Sequence, residues 1–358
     1  MLKSFRYLLF PFSLIYGGII IVRNYLFDKK IFKSASFNFP LICVGNLAVG
    51  GTGKTPMAEY LISVLKKNYQ VATLSRGYKR KTKGYTLANE RTTALEIGDE
   101  PMQFHEKFAD ISVAVGEERL VAIPLILQDK PFTDVIILDD AFQHRSVKAG
   151  LNILLTEYKN LYSRDLMMPA GDLRDVKLSS KRADIIVVTK CKPDLTIAEK
   201  DAIEKELKML PHQKIFFTEI VYGDPYHLFS KQTVGISTNS DVLLITGIAN
   251  PKPMKEFITG LVHSYDMIKY ADHHIFTSTD LKDIKKHFQK IVSTNKMIIT
   301  TEKDGVRLKK FEKELADLPI YSLPIQQQFL FNEAPVFNEM VINFIENFKK
   351  SGTAIPQA

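Results

Sequence analysis

Residues 44–56 read Val-Gly-Asn-Leu-Ala-Val-Gly-Gly-Thr-Gly-Lys-Thr-Pro, and this turn constrains the fold more than any other stretch. An apolar run leads into it, and a helical pattern, Met57–Lys67, leads out with apolar residues at spacings of three and four. Glycines let successive backbone N–H groups close around an anion, and the helix that follows adds the favourable end of its dipole. The template G-x-x-x-x-G-K-S/T runs here through Ala48, Val49, Gly50, Gly51, Thr52, Gly53, Lys54 and Thr55, with Ala48 in place of the first glycine. In such a loop the lysine neutralises the β- and γ-phosphates of a nucleotide, and the threonine hydroxyl ligates Mg²⁺.

The rest of the chain supplies the sheet that such a loop needs. Apolar runs at Leu41–Val44, Val71–Leu74, Ile111–Val115, Val135–Leu138, Leu151–Leu155, Ile185–Val188 and Ile215–Val221 alternate with helical patterns. The pattern predicts an α/β fold, a P-loop NTPase-like, doubly wound, mostly parallel sheet that binds at its strand carboxyl ends. Residues 222–240 read as a turn-rich connector. Alternation resumes with a strand at Val242–Thr246, a helix near Pro253–Val262 and a strand at Met297–Thr300. The expected organisation is a core domain over 37–221, a connector over 222–240, a smaller α/β domain over 241–348 and a frayed tail over 349–358. A cleft between the two domains would suit a bulky acceptor.

The first 36 residues differ in kind. They carry Lys3, Arg6, Arg23, Lys29, Lys30 and Lys33 against Asp28 alone, a large share of the chain's net charge of +8. Residues 7–22 form an apolar run that would make a helix of about 24 Å, short of the roughly 30 Å hydrocarbon core. Pro11 and the Gly17-Gly18 pair weaken it further as a straight span, and no small-residue cleavage site marks a secretory signal. The reading is a membrane-associated helix lying in a leaflet, its cations facing anionic lipid. Cys43 and Cys191 show neither metal-ligand spacing nor a disulfide framework, which fits a reducing compartment.

A carboxylate for the metal side is expected at the end of a neighbouring strand. In "DVIILDDAFQHR", residues 134–145, the apolar run ends in Asp139-Asp140, and two adjacent carboxylates call for a cation. The sequence does not decide which of the two meets Mg²⁺. Asp99, in "GDEP", reads from local sequence either as a carboxylate base or as a helix N-cap.

Together "VGNLAVGGTGKTP", "LSRGYKRK" (74–81), "GDEP" (98–101), "DDAFQHR" (139–145), "PAGDLRD" (169–175), "ADHH" (271–274) and "TEKDGVRL" (301–308), in this order, resemble the tetraacyldisaccharide 4′-kinase family of lipid A synthesis. The resemblance extends to about residue 345. It implies transfer of the γ-phosphoryl group of ATP, with Mg²⁺, to the 4′-hydroxyl of a lipid-linked disaccharide 1-phosphate. It also implies work at the cytoplasmic leaflet of a bacterial inner membrane. By resemblance Asp99 is the base and His273 its partner across the cleft, with His274 the second choice. Arg174 braces a phosphate, and Arg76, His144 and Arg145 are further phosphate-side candidates. Asp175 stands where the family pattern has Glu, which puts a direct metal contact by its shorter arm in question. Ala141 stands where it has Gly. Arg307 reads as structural.

The main rival is a membrane-associated GTPase or ATPase switch. A GTPase needs an Asn/Thr-Lys-x-Asp element to read guanine, yet in "TKCKPD", residues 189–194, Lys192 takes the Asp position. No nucleic-acid-reading motif accompanies the basic charge, and a lipid-binding scaffold would have no use for Lys54 and Thr55. The sequence identifies no protein partner.

Overall fold

The computed structural model describes residues 6–352; Lys3 and residues 353–358 of the expected tail lie outside the described residues. The strand entering the glycine-rich loop, Leu41–Asn46, is buried along its whole length, as are Val135–Asp139 and Ile185–Thr189. Strands covered on both faces read as unbroken apolar runs, which is why the sequence shows them so plainly.

The large sheet has nine strands. From one edge they are Ile325–Phe329, Lys214–Tyr222, Ile185–Thr189, Leu151–Glu157, Leu41–Asn46, Val135–Asp139, Val71–Ser75, Ser112–Val115 and Thr86–Leu87. All neighbours run parallel except the two edge strands, which are antiparallel. Leu41–Asn46 is flanked on both sides by strands later in sequence, so a crevice opens at its carboxyl end. Cys43, Leu74, Leu138, Phe142 and Phe217 form the core on one face; Ile42, Met57, Leu61, Ile137 and Phe337 form it on the other.

A second sheet has the order Tyr226–His227, Ile320–Leu323, Lys296–Thr301, Asp241–Thr246, Ser264–Lys269, and it too buries apolar clusters on both faces. Its limits differ from the expected 241–348. Part of the connector, Tyr226–His227, pairs antiparallel with Ile320–Leu323 and so belongs to the small sheet. From Ile325 the chain returns to the large sheet, where Phe329 lies opposite Thr218 and Ile325 opposite Tyr222. The helix Ala334–Gly352 then buries Phe337, Val341 and Ile345 beside Met57 and Leu61. It carries through 349–352, where fraying was expected.

The N-terminal helix spans Phe10–Asp28 after a short turn at Tyr7–Leu9, longer than the apolar run suggested. Pro11 lies in its first turn, where a missing N–H leaves no intrahelical bond unmade. Ser13, Gly17 and Asn24, spaced by four and seven, are buried against the large domain. The apolar side chains of Phe12, Leu14, Ile15, Ile19, Val22 and Tyr25 stay more than half exposed. The usual amphipathic arrangement is inverted, with small and polar residues inside and apolar ones outside.

A buried charge triad joins the domains. Lys107 Nζ lies 2.7 Å from Glu59 on the helix after the glycine-rich loop and 2.8 Å from Glu302 of the small domain. Gln103 donates to Glu59 at 2.7 Å, and the Tyr226 hydroxyl donates to Glu302 at 3.2 Å. Burial pushes the Glu59 carboxyl up to about 7 against the pull of Lys107, and Glu302 pushes it the same way. Burial works against the Lys107 charge, yet Glu59 and Glu302 overcome it and hold that group above its usual value. One ammonium serving two buried carboxylates keeps its proton, while burial favours the neutral form of Glu59.

A carboxyl with a higher pKa folded than unfolded stabilises fully below its unfolded value and loses that contribution as pH rises through the folded one. Stability should therefore decline from about pH 4.5 to about pH 7 through this group. Glu59→Gln is expected to flatten the decline, by on the order of 1–3 kcal/mol at pH 8. Thermal melts across that range check it, and an unchanged slope in the variant excludes Glu59 as the source.

Candidate active site

The glycine-rich loop is held from several sides. Gly53, at φ 85°, caps the helix Lys54–Leu65, and Gly50 turns the loop at φ 105°. The backbone angle at Gly53 favours glycine, and a Cβ there would come within 2.9 Å of Gln327 Nε2 and push that side chain aside. Thr189 Oγ1 donates to the Thr52 carbonyl at 2.8 Å, and Gln327 Nε2 donates to the Gly53 carbonyl at 3.4 Å. The loop's entry pairs with the segment 172–175: Val49 N donates to the Asp172 carbonyl, and Arg174 N to the Leu47 carbonyl, each at 2.8 Å. Ala48 bridges to Leu173. Asn46, fully buried at the strand end, donates to Thr52 Oγ1 at 2.8 Å and accepts from Arg174 at 2.6 Å.

Asp139 and Asp140 end the adjacent strand in different electrostatic settings. Asp139 is buried; Ser75 donates to its Oδ2 at 3.2 Å, while its Oδ1 has no hydrogen-bond partner. Burial, with Glu100 and Asp140 adding negative potential, pushes the Asp139 carboxyl up to about 7. Asp140 sits at φ 49° and forms ion pairs with Arg174 and, at 3.8 Å, with Lys54. Burial opposes its charge, but Lys54 and Arg174 overcome that and hold it below the usual carboxylate range.

Asp99 opens the helix Asp99–Lys107, with Gly98 rather than Asp99 at the N-cap. Its Oδ2 receives Arg307 at 2.6 Å and faces His273 Nδ1 at 3.2 Å. Both partners come from the small domain. Burial raises the Asp99 carboxyl, but Arg307 and then His273 outweigh it and leave it below its ordinary value. Asp304, wholly buried, orients Arg307 at 2.9 Å and accepts from Gly247 N at 2.8 Å. Arg307, which reads as structural in sequence, thus meets the candidate base directly. His274 points elsewhere, pairing with Asp280 at 3.0 Å.

Asp175 does not join the metal-side pair. Arg182 at 2.9 Å, Ser179 at 2.7 Å and Asn24 of the N-terminal helix at 2.9 Å take up its carboxylate. Among the described residues no three His, Cys, Asp or Glu side chains gather as a metal cluster. The shorter arm serves an internal anchor instead. Arg145 is spent in the same way, donating to the Asn24 carbonyl at 2.9 Å and pairing with Asp28 at 2.6 Å. His144 does face the cations: burial, Arg119, Arg76 and Arg23 push it down to about 4. Arg76 is exposed at the strand end.

Some site residues escaped the sequence reading. Asn46 and Thr189 lie inside quoted stretches without a role read for them, Gln327 lies in none, and the last two reach the loop across long stretches of chain. Lys303 and Arg307 did lie inside a quoted motif, "TEKDGVRL", whose spacing of four puts them on one helix face.

A loop that merely held nucleotide would gain nothing from a carboxylate paired with a histidine and an arginine of the other domain. The fold and the site together define a P-loop phosphotransferase with a separate acceptor. The family described as Tetraacyldisaccharide-1-P 4′-kinase matches residues 5–346, and the chain belongs to it. Similar proteins include the tetraacyldisaccharide 4′-kinases of Bacteroides thetaiotaomicron, 44% identical over 96% of this chain and 94% of that one, and of Flavobacterium psychrophilum, 45% identical over 97% and 99%. The crystal structure of LpxK from Aquifex aeolicus in complex with ATP aligns with a TM-score of 0.75 and 27% identity, over 96% of this chain and 100% of that one. The chain is a kinase, and ATP is its phosphoryl donor.

The anchor reading of Asp175 separates from a metal reading by experiment. Asp175→Ala strands Arg182 and Asn24 and should lower unfolding free energy by about 3–5 kcal/mol in denaturant titrations. Asp175→Asn should leave the Mg²⁺ concentration for half-maximal activity unchanged. A large rise in that concentration would return Asp175 to the metal.

Proposed function

We propose that the chain transfers the γ-phosphoryl group of ATP to the 4′-hydroxyl of a tetraacylated disaccharide 1-phosphate, giving lipid IVA. The observation that carries the chemistry is the setting of Asp99: its carboxylate receives Arg307 and faces His273, on a helix whose Lys107 pairs with Glu59 of the helix that follows the phosphate loop. Lys54 neutralises the transferring group, and Arg174, already braced on Asn46 and Asp140, keeps the strand-end carboxylates and the loop in register. Asp99 receives the hydroxyl proton as the acceptor oxygen bonds to phosphorus and ADP leaves. A base held below its usual pKa suffices, because phosphoryl transfer passes through a loose transition state and depends mainly on positioning.

Mg²⁺ fits the residues present. The unpartnered Oδ1 of Asp139, in a carboxyl that burial and like charges destabilise, suits a cation; Asp140 follows it in sequence, and Thr55, in the first turn of the helix after the loop, would supply the hydroxyl ligand. When bound, the ion would offset charge on the phosphates.

The N-terminal helix supports a monotopic association with the cytoplasmic leaflet of the bacterial inner membrane. Tyr7–Asp28 is long and apolar enough to cross a bilayer by length and composition. Yet it is tied to the large domain from end to end: Arg6 to Asp172, Ala170 N to Ser13, Tyr16 to the Arg174 carbonyl, Arg23 to the Gln143 carbonyl, Asn24 to Asp175. A helix so held lies along the protein and offers its outer apolar face to lipid.

With γ-labelled ATP, Mg²⁺ and tetraacyldisaccharide 1-phosphate in detergent micelles, the wild type should label the lipid. Asp99→Ala should cut the rate roughly 10²- to 10⁴-fold. Labelling that persists in Asp99→Ala discards Asp99 as base, and no lipid labelling by nucleotide-bound protein discards the acceptor.

A further inference from the structure

The helix Glu302–Leu308 brings a third small-domain group to Asp99. Lys303 Nζ lies 3.1 Å from His273 Nε2 and 3.6 Å from Glu100 Oε1. We propose that Lys303 is a positioning residue: by donating to Nε2 it fixes the proton of His273 on Nδ1, so that the imidazole donates to Asp99 Oδ2 and leaves Oδ1 for the acceptor hydroxyl. This rests on Asp99 as the base.

The argument is one of donors and acceptors. An ammonium has three donors and no lone pair, so the nitrogen it faces must accept. Nε2 therefore carries no proton, and the neutral ring carries its proton on Nδ1, 3.2 Å from Asp99 Oδ2. An imidazolium would set an Nε2–H donor against the ammonium with no acceptor between them. Arg307 is also purely a donor, but its Nη2 lies 2.6 Å from Asp99 Oδ2 against 3.2 Å from Nδ1, so it donates to the nearer carboxylate oxygen and leaves Nδ1–H to donate to that same oxygen. Among the described residues Asp99 Oδ1 has no partner, and the side chain keeps 20% exposure, enough for a hydroxyl to reach it.

The other groups around the ring do not displace this arrangement. Asp272 Oδ2 is 3.9 Å from Nε2, beyond hydrogen-bond range, and Tyr78 meets the ring edge-on with centroids 5.7 Å apart. Asp304 is occupied with Arg307 and Gly247. The backbone helps to hold the ring: His273 stands at φ 60°, an uncommon conformation for a side-chain-bearing residue, with its N–H on the Gly247 carbonyl at 3.2 Å. Lys303 and Arg307, one turn apart, thus approach the histidine–aspartate pair from the same helix face.

The test uses the full chain in detergent, ¹⁵N-labelled at histidine, with the His273 signals assigned by their loss in His273→Gln. In the wild type Nδ1 should be protonated and Nε2 bare. Lys303→Met should shift the population toward the Nε2–H form, and Lys303→Arg, which keeps a donor, should hold the wild-type form. In kinetics Lys303→Met should lower kcat roughly 10- to 100-fold, as loss of an outer orienting group does, with KM for ATP unchanged. Lys303→Arg should recover most of it. An unaltered tautomer in Lys303→Met, or equal losses in the Met and Arg variants, overturns the proposal. If the tautomer shifts but Asp99→Ala keeps full activity, the hold of Lys303 on His273 stands and Asp99 is not the base.

Discussion

One buried amide, that of Asn46, sets the geometry on which the phosphate site depends. Its side chain donates to Thr52 inside the loop and accepts from Arg174, and its backbone carbonyl accepts from Gln143 at 2.6 Å. Every polar valence used this way lies in a residue without solvent exposure, where an unmade hydrogen bond costs about 1–3 kcal/mol. The loop cannot drift from the strand without breaking these bonds together. Arg174 carries the same restraint outward to Asp140, and so to Lys54.

The opposing wall is built on another logic. Three residues of one short helix, Glu302, Lys303 and Arg307, connect the small domain to Lys107, Glu100 and Asp99. The first reaches the phosphate-loop helix through Lys107; the other two reach the acceptor side. Domain placement is therefore set by charges with few alternative partners rather than by a broad apolar seam. Such contacts give register more than stability, since desolvation consumes much of their attraction.

The large sheet was legible because strands buried on both faces announce themselves as apolar runs. The return of residues 325–329 was not: Ile-Gln-Gln-Gln-Phe looks polar, yet Gln327 is buried so that it can hold the Gly53 carbonyl. The connector hid a strand for a similar reason, being two residues long. At the site, the loop and the strand-end carboxylates could be read from spacing. The pairing of Arg307 with Asp99 could not, because 208 positions separate them and neither spacing nor periodicity records such a contact. Asp175 shows the reverse limit. A motif position marks where a residue stands in the chain, but the Asn24, Ser179 and Arg182 donors determine where its carboxylate points.

Those same donors explain the inverted N-terminal helix. A helix meant only to sit in lipid would need no buried asparagine, and one meant only to pack on protein would not leave a row of Phe, Leu and Ile outside. Here Asn24 grips Asp175 within the segment 169–175, whose backbone pairs with the loop at Leu47 and Val49. Arg6 and Tyr16 grip the same segment at Asp172 and Arg174. The exposed apolar helix and the glycine-rich loop are thus fastened to one seven-residue strap. The polar inner face gives the helix a fixed orientation on the domain, and the orientation decides which apolar face remains outside.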